Sequence, residues 1–415
     1  MALDRTQEVD TTKFPGNPYL QDPAKGLHLI ASLLGGRGSI RENRITDSVD
    51  ALEGACGRLE LTDLADALSR LRQILSLLEI PARSRLLSNS AIVGFGGQFS
   101  SGKSSILNSL LGSRPQISLP EDLNASTSIA TYVMQAPAPQ VMACSKKGGE
   151  ITLDADGLKA ISHQFRRKHK INPAQYIEFI GISLPEFPVH GVALLDTPGY
   201  NSSDIATRQE YSDGSRSREA LNSVDHLVWI IDAKEPQFNP KDRLFIESLN
   251  LSGEVTVIVN KCDEKIEIRK STDPEHSEPI NHFRDSFKKA GIPCSSIIPY
   301  SARHPEWNDG KGKLIAFLQK VSQGSKSADE RRKEVEKILS DIDKKFQDAL
   351  KHLHIDSIND ISACIDGSDN PLALSSLVSF RGLMGFERSN LAKDYEEFTS
   401  LAANIRSWVE QRNMA

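Results

Sequence analysis

A chain of 415 residues, 39% hydrophobic and 25% charged, suits two or three structural units with real cores, which excludes disorder as its default state. The net charge of −5 supplies no global attraction for nucleic acid or anionic lipid, so no DNA binding is expected. Five cysteines (Cys56, Cys144, Cys262, Cys294, Cys364) lie scattered without a CxxC pair, which argues against a zinc site or disulfide framework and suits a reducing cytosol.

Residues 1–40 open on an acidic, polar stretch unlike a signal peptide. Pro15, Pro18 and Pro23 precede a short apolar patch, Leu27 to Leu34, so a loose arm with one short helix is expected. From 41 to 85 the pattern becomes helical: Leu61, Leu64, Leu68, Leu71, Leu75 and Leu78 recur at three- and four-residue steps on one face. Thr62 is placed to cap that helix and Pro81 to end it.

Residues 86–322 read as one α/β domain. Short apolar runs at 91–95, 192–196, 226–232 and 255–260 are bounded by Gly, Pro and Asp and separated by helix-length segments. Strands of a mostly parallel sheet, covered by helices on both faces, have this pattern. Helical periodicity returns over 323–415. Ser327 and Glu330 suit a capping box, Val335 to Leu353 form one apolar stripe, and Leu391, Tyr395, Phe398, Ile405 and Val409 form another. The simplest partner for these stripes is the 61–80 helix, so chain start and chain end are expected to share a helical bundle. No run approaches the ~18 apolar residues of a membrane-spanning helix.

Gly97-Gln98-Phe99-Ser100-Ser101-Gly102-Lys103-Ser104 fits GxxxxGK[ST] directly after a strand, with Ser105 to Leu111 as the following helix. Backbone N–H groups and the helix N-terminus would wrap the phosphates. Lys103 would neutralise the β- and γ-phosphates, and Ser104 would ligate Mg²⁺. Asp196-Thr197-Pro198-Gly199 alone is a strand and a turn. Downstream of a P-loop, however, Asp196 reads as the carboxylate that holds Mg²⁺ and Gly199 as the N–H that senses the γ-phosphate. Asn260-Lys261-Cys262-Asp263 fits NKxD, in which a carboxylate accepts from the guanine N1–H and exocyclic amine; this favours GTP and GDP over adenine nucleotides. Ser301-Ala302-Arg303 suits the loop closing over the base. Thr127 is the candidate threonine for Mg²⁺ and the γ-phosphate, with Thr131 as the alternative.

The stretch 94–112, GFGGQFSSGKSSILNSLLG, together with the spacing from Leu119-Pro120 to Thr127 and the run 224–249 after DTPG, resembles the dynamin superfamily and its bacterial dynamin-like members. The resemblance covers about 90–305 and implies a dynamin-type P-loop G domain that hydrolyses GTP. It implies that Ser100 helps place a cation and the attacking water. A homodimer through the nucleotide faces then completes the site without a glutamine after DTPG, where Tyr200 stands. It further implies peripheral contact at the inner face of a membrane and a partner dynamin-like chain. The chain departs from many members in its short C-terminal part and in Ala125-Ser126 before the candidate threonine.

Two segments stay open. Residues 371–386, PLALSSLVSFRGLMGF, suit either a buried bundle segment or a membrane-touching tip. The basic run 166–170 reads as a solvated helix face, or as an RNA contact if the chain is a monomeric GTPase of the ribosome-assembly or translation-factor class. A GTP-gated scaffold with little hydrolysis is the third alternative.

Overall fold

The computed structural model describes residues 16–35, 45–57, 59, 64–83, 87, 90–98, 100–111, 129–146, 149–161, 171, 175–197, 213–235, 237–249, 253–326, 328–352, 363–366 and 371–411. The chain divides into two compact units, residues 1–40 with 83–325 and residues 41–82 with 326–415.

In the first unit, α1 (Pro18–Gln21) and α2 (Pro23–Gly35) lead into it. α2 covers the Leu27 to Leu34 patch, where one short helix is expected, and α1 precedes it. Leu29, Ile30 and Leu33 recur at one- and three-residue steps, and with Leu20 they join the core of the sheet. The Asn17 side chain accepts from the N–H groups of Tyr19 and Leu20 at the start of α1 and donates to the Asp156 carbonyl, 2.9 Å away. Burial of these leucines, more than helix propensity, explains why so short a segment is ordered.

Nine strands follow: β1 (Ala91–Gly97), β2 (Ala130–Gln135), β3 (Gln140–Ser145), β4 (Glu150–Leu153), β5 (Ile177–Leu184), β6 (Val192–Asp196), β7 (His226–Asp232), β8 (Val255–Asn260) and β9 (Cys294–Pro299). They form one sheet in the order β4-β3-β5-β2-β6-β1-β7-β8-β9. The run β6-β1-β7-β8-β9 is parallel throughout, and antiparallel pairs join β2 to β6, β3 to β5 and β3 to β4. The fold is thus α/β with a mostly parallel sheet. β1, β6 and β8 are buried at every position, as strands covered on both faces must be. The helices α3 (Gly310–Gly324) and α4 (Lys103–Leu110) place Leu314, Leu318, Val321, Ile106, Leu107 and Leu110 in that core.

The second unit is helical: α5 (Ile45–Ala55), α6 (Leu64–Arg83), α7 (Ala328–His352) and α8 (Pro371–Gln411). Val49, Leu52, Leu71, Leu75, Leu339, Phe346, Phe398 and Ile405 share one core, so chain start and chain end do meet in a bundle. Arg70 bonds Glu334 at 2.8 Å and Arg406 bonds Glu336 at 2.8 Å around its rim. α6 runs two residues past Pro81, since a proline in the last turn forfeits one backbone bond without blocking the preceding turns. Thr62, Ser327 and Leu353 lie outside the described residues.

The segment 371–386 corrects one of its two readings. It is helical, and its large apolar side chains from 375 on are not buried: Val378, Phe380, Leu383 and Phe386 are 44%, 51%, 57% and 63% exposed. Arg406 donates to Glu336 and Tyr395 to Asp343, which sets α7 and α8 antiparallel. At 1.5 Å per residue α8 is about 61 Å long and α7 about 37 Å, so the first turns of α8 outrun that partner. No described helix is long and apolar enough to cross a membrane.

Candidate functional site

The candidate residues gather where the parallel strands end. β1 delivers the P-loop, β6 ends on Asp196, β8 on Asn260, and β9 leads into Ser301. In open α/β sheets, ligands bind beyond the carboxyl ends of the strands, and this edge is where the sequence places its polar motifs.

The loop has little steric freedom. Gly97 has φ +145, and a Cβ there would fall 2.5 Å from the Ile230 carbonyl; Gly102 has φ +92, and its Cβ would fall 2.2 Å from the Asn260 amide. Both glycines are therefore required by backbone conformation and by close approach together. Ser100 is held in the left-handed region at φ +66 and stays exposed on the rim. Phe99 lies outside the described residues.

Lys103, at the first turn of α4, is 6% exposed, and its ammonium donates to the Gly97 and Gln98 carbonyls at 3.0 Å each. Burial lowers its pKa to about 8, against the pull of Asp196 and Asp242. Ser104 Oγ donates to Asp196 Oδ2 at 2.7 Å. Asp196 is wholly buried, which raises its pKa to about 6 despite Ser104 and Lys103, and among the described residues its Oδ1 has no hydrogen-bond partner. A buried hydroxyl–carboxylate pair with one orphaned oxygen suits a hard divalent cation, whose ligands are oxygens. Thr197 Oγ1 donates to the Phe95 carbonyl at 2.8 Å, which pins the strand end against β1. Ser105 lies on α4, half-buried.

The base side is tied to the phosphate side. Asn260 donates to the Ser101 carbonyl at 3.0 Å and accepts from the Ala302 N–H at 3.1 Å. Lys261, in the left-handed region at φ +64, donates to the Ser100 carbonyl at 2.8 Å and pairs with Asp232 at 2.7 Å. Ser301 Oγ accepts from the His304 N–H at 3.0 Å. Arg303 reaches Glu264 at 2.9 Å, and Glu264 also holds Lys234. Asp263 is half-buried, and among the described residues its carboxylate makes no hydrogen bond.

Thr131, the alternative threonine, sits buried in β2 opposite Asp196 and donates to the Ile129 carbonyl at 3.3 Å. Thr127, Gly199 and Tyr200 lie outside the described residues, as does the basic run 166–170. One residue at this edge escaped sequence reasoning. Asp242, in the first turn of a helix at Pro240–Glu247, is buried against the loop and accepts from Gln98 Nε2 at 3.0 Å. An acid in a first helical turn reads as an ordinary dipole partner, so only its burial marks it.

Residues 93–263 match the dynamin family. Among solved structures, a chain of an oligomerised bacterial dynamin pair, described as a mechanism for long-range sensing and tethering of membranes, is 15% identical with a TM-score of 0.42; the match covers 79% of this chain and 51% of that one. A second structure of such a pair is 15% identical with a TM-score of 0.40, covering 84% and 54%. An Aquifex aeolicus Era variant bound to GDP and aluminium fluoride is 20% identical with a TM-score of 0.30, covering 55% of this chain and 57% of that one. The chain thus spans about half the length of these structures. No curated protein matches it significantly.

Proposed function

We propose that this chain, whose residues 93–263 match the dynamin family, couples GTP hydrolysis to self-association and works peripherally at a membrane surface. The observation that carries the nucleotide reading is the closed network at the strand ends. Lys103 bridges two P-loop carbonyls, Asn260 bonds the loop at Ser101, and Lys261 bonds it at Ser100.

In this reading the backbone N–H groups of 97–105 receive the α- and β-phosphates, and Lys103 swings from the Gly97 and Gln98 carbonyls toward the β- and γ-phosphates. Ser104 and Asp196 would hold Mg²⁺, with Thr127 from the preceding loop. When bound, that ion neutralises charge on the β- and γ-phosphate oxygens. Water attacks the γ-phosphorus, the bond to the β–γ bridging oxygen breaks, and GDP with inorganic phosphate results. The Gly199 N–H would contact the γ-phosphate, and Ser100 would orient the water. Asn260, Lys261 and Asp263 select guanine, with the 301–303 backbone above the base.

Ser100 supports the self-association reading. It stands exposed on the rim in a conformation fixed by Lys261, where a facing copy could cover it. The exposed apolar turns of α8 support a peripheral membrane contact. GTPase turnover per chain, measured across protein concentration with and without anionic liposomes, tests both parts. It is expected to rise with each addition.

A further inference from the structure

The P-loop is also held through Gln98 by a residue outside its motif. The Trp229 ring lies under β1, where a Cβ on Gly96 would fall 2.7 Å from it. Its indole N–H donates to Asp242 Oδ2 at 3.3 Å, and the other oxygen, Oδ1, accepts from Gln98 Nε2 at 3.0 Å. Gly96, Trp229, Asp242 and Gln98 therefore close a circuit that leaves the loop base and returns to its second residue. The Gln98 carbonyl is one of the two acceptors of Lys103.

Asp242 is 3% exposed, and among the described residues both of its hydrogen-bond donors are neutral. A carboxylate buried on neutral donors is expensive to maintain, and an apolar residue would fill the space at lower cost. We propose that Asp242 is a positioning residue of the phosphate site, fixing Gln98 through its amide and so setting the carbonyls that hold Lys103 for the incoming phosphates. The proposal rests on the GTP reading of that site.

Asp242→Asn presents an amide to two donors, so one of them loses its acceptor. GTP affinity, read by titration calorimetry, is expected to fall about tenfold or more. Gln98→Glu combined with Asp242→Asn reverses the polarity of the bond, since the new amide donates to the new carboxylate, and it is expected to recover most of that loss. Should Asp242→Asn fold poorly, Gln98→Ala removes the same bond from the loop side and is expected to lose comparable affinity. A purely structural role would lower the melting temperature of the free protein and leave affinity intact. Wild-type protein that bound no GTP would overturn the site reading and the proposal with it. Wild-type binding with either single variant unaffected, or a double variant no better than Asp242→Asn, would overturn the proposal alone.

Discussion

The two units spend their polar and apolar residues in opposite ways. At the strand ends of the sheet, charged groups are buried and tied across loops: Lys103, Asp196 and Asp242 are each under 10% exposed. In the helical unit the apolar stripes fill an ordinary core, the ion pairs sit on the rim, and the large apolar side chains of early α8 face outward. Buried charge is the expensive feature of the first unit and exposed apolar surface that of the second. In the proposed reading, the first serves the nucleotide and the second a membrane surface.

The largest effects are expected where charge is buried. Lys103→Ala should weaken GTP binding at least about 100-fold in calorimetric titration, because it removes the buried ammonium seated on the Gly97 and Gln98 carbonyls. Retained affinity would erase the contrast between the units. Asp263→Asn should cost about tenfold or more in GTP affinity and raise the relative affinity for xanthosine triphosphate, measured by competition.

The same buried acids predict an inverted pH response in metal- and nucleotide-free protein. Asp196 and Asp242 each have pKa about 6, raised chiefly by burial from 3.8. The folded state therefore binds more protons than the unfolded state between those values. Their contribution is fully present below about pH 4 and is lost as pH rises through about 6. Melting temperature should thus rise as pH falls from 7.5 toward 5. Asp196→Asn should flatten that rise, stabilise the free protein at pH 7.5 by on the order of 2–3 kcal/mol, and abolish the gain from GTP with Mg²⁺. A melting temperature that fell over that pH range would contradict the burial argument.

Effects in the helical unit should be smaller and different in kind. Replacing Phe380, Leu383 and Phe386 with serine should change stability by no more than about 0.5 kcal/mol per site, since all three are exposed. It should reduce liposome cosedimentation without changing GTP affinity. Arg70→Ala, which breaks a half-exposed pair with Glu334, should cost about 1 kcal/mol or less in denaturant unfolding.

What was legible in the sequence follows the same division. The P-loop, Asp196 and the 260–263 motif could be read because chemistry fixes residue type, spacing and order at the ends of apolar strands. The stripes of α6 and α7 could be read because they extend over many turns. β2 to β5 were harder. β4 spans four residues, and the antiparallel pairs on this side of the sheet carry no motif at their ends. The order of α1 and α2 depends on packing of Leu29, Ile30 and Leu33 against strands far along the chain. The exposure of α8 depends on the length of a neighbouring helix. Asp242 was invisible for the same reason, because its meaning lies in Gln98 and Trp229, distant in sequence or on another strand.

Specific GTPase activity measured from dilute to concentrated protein tests the central claim most directly. The account predicts turnover per chain that climbs with concentration and falls in a Ser100→Ala variant. Turnover per chain that stays flat over that range would contradict it.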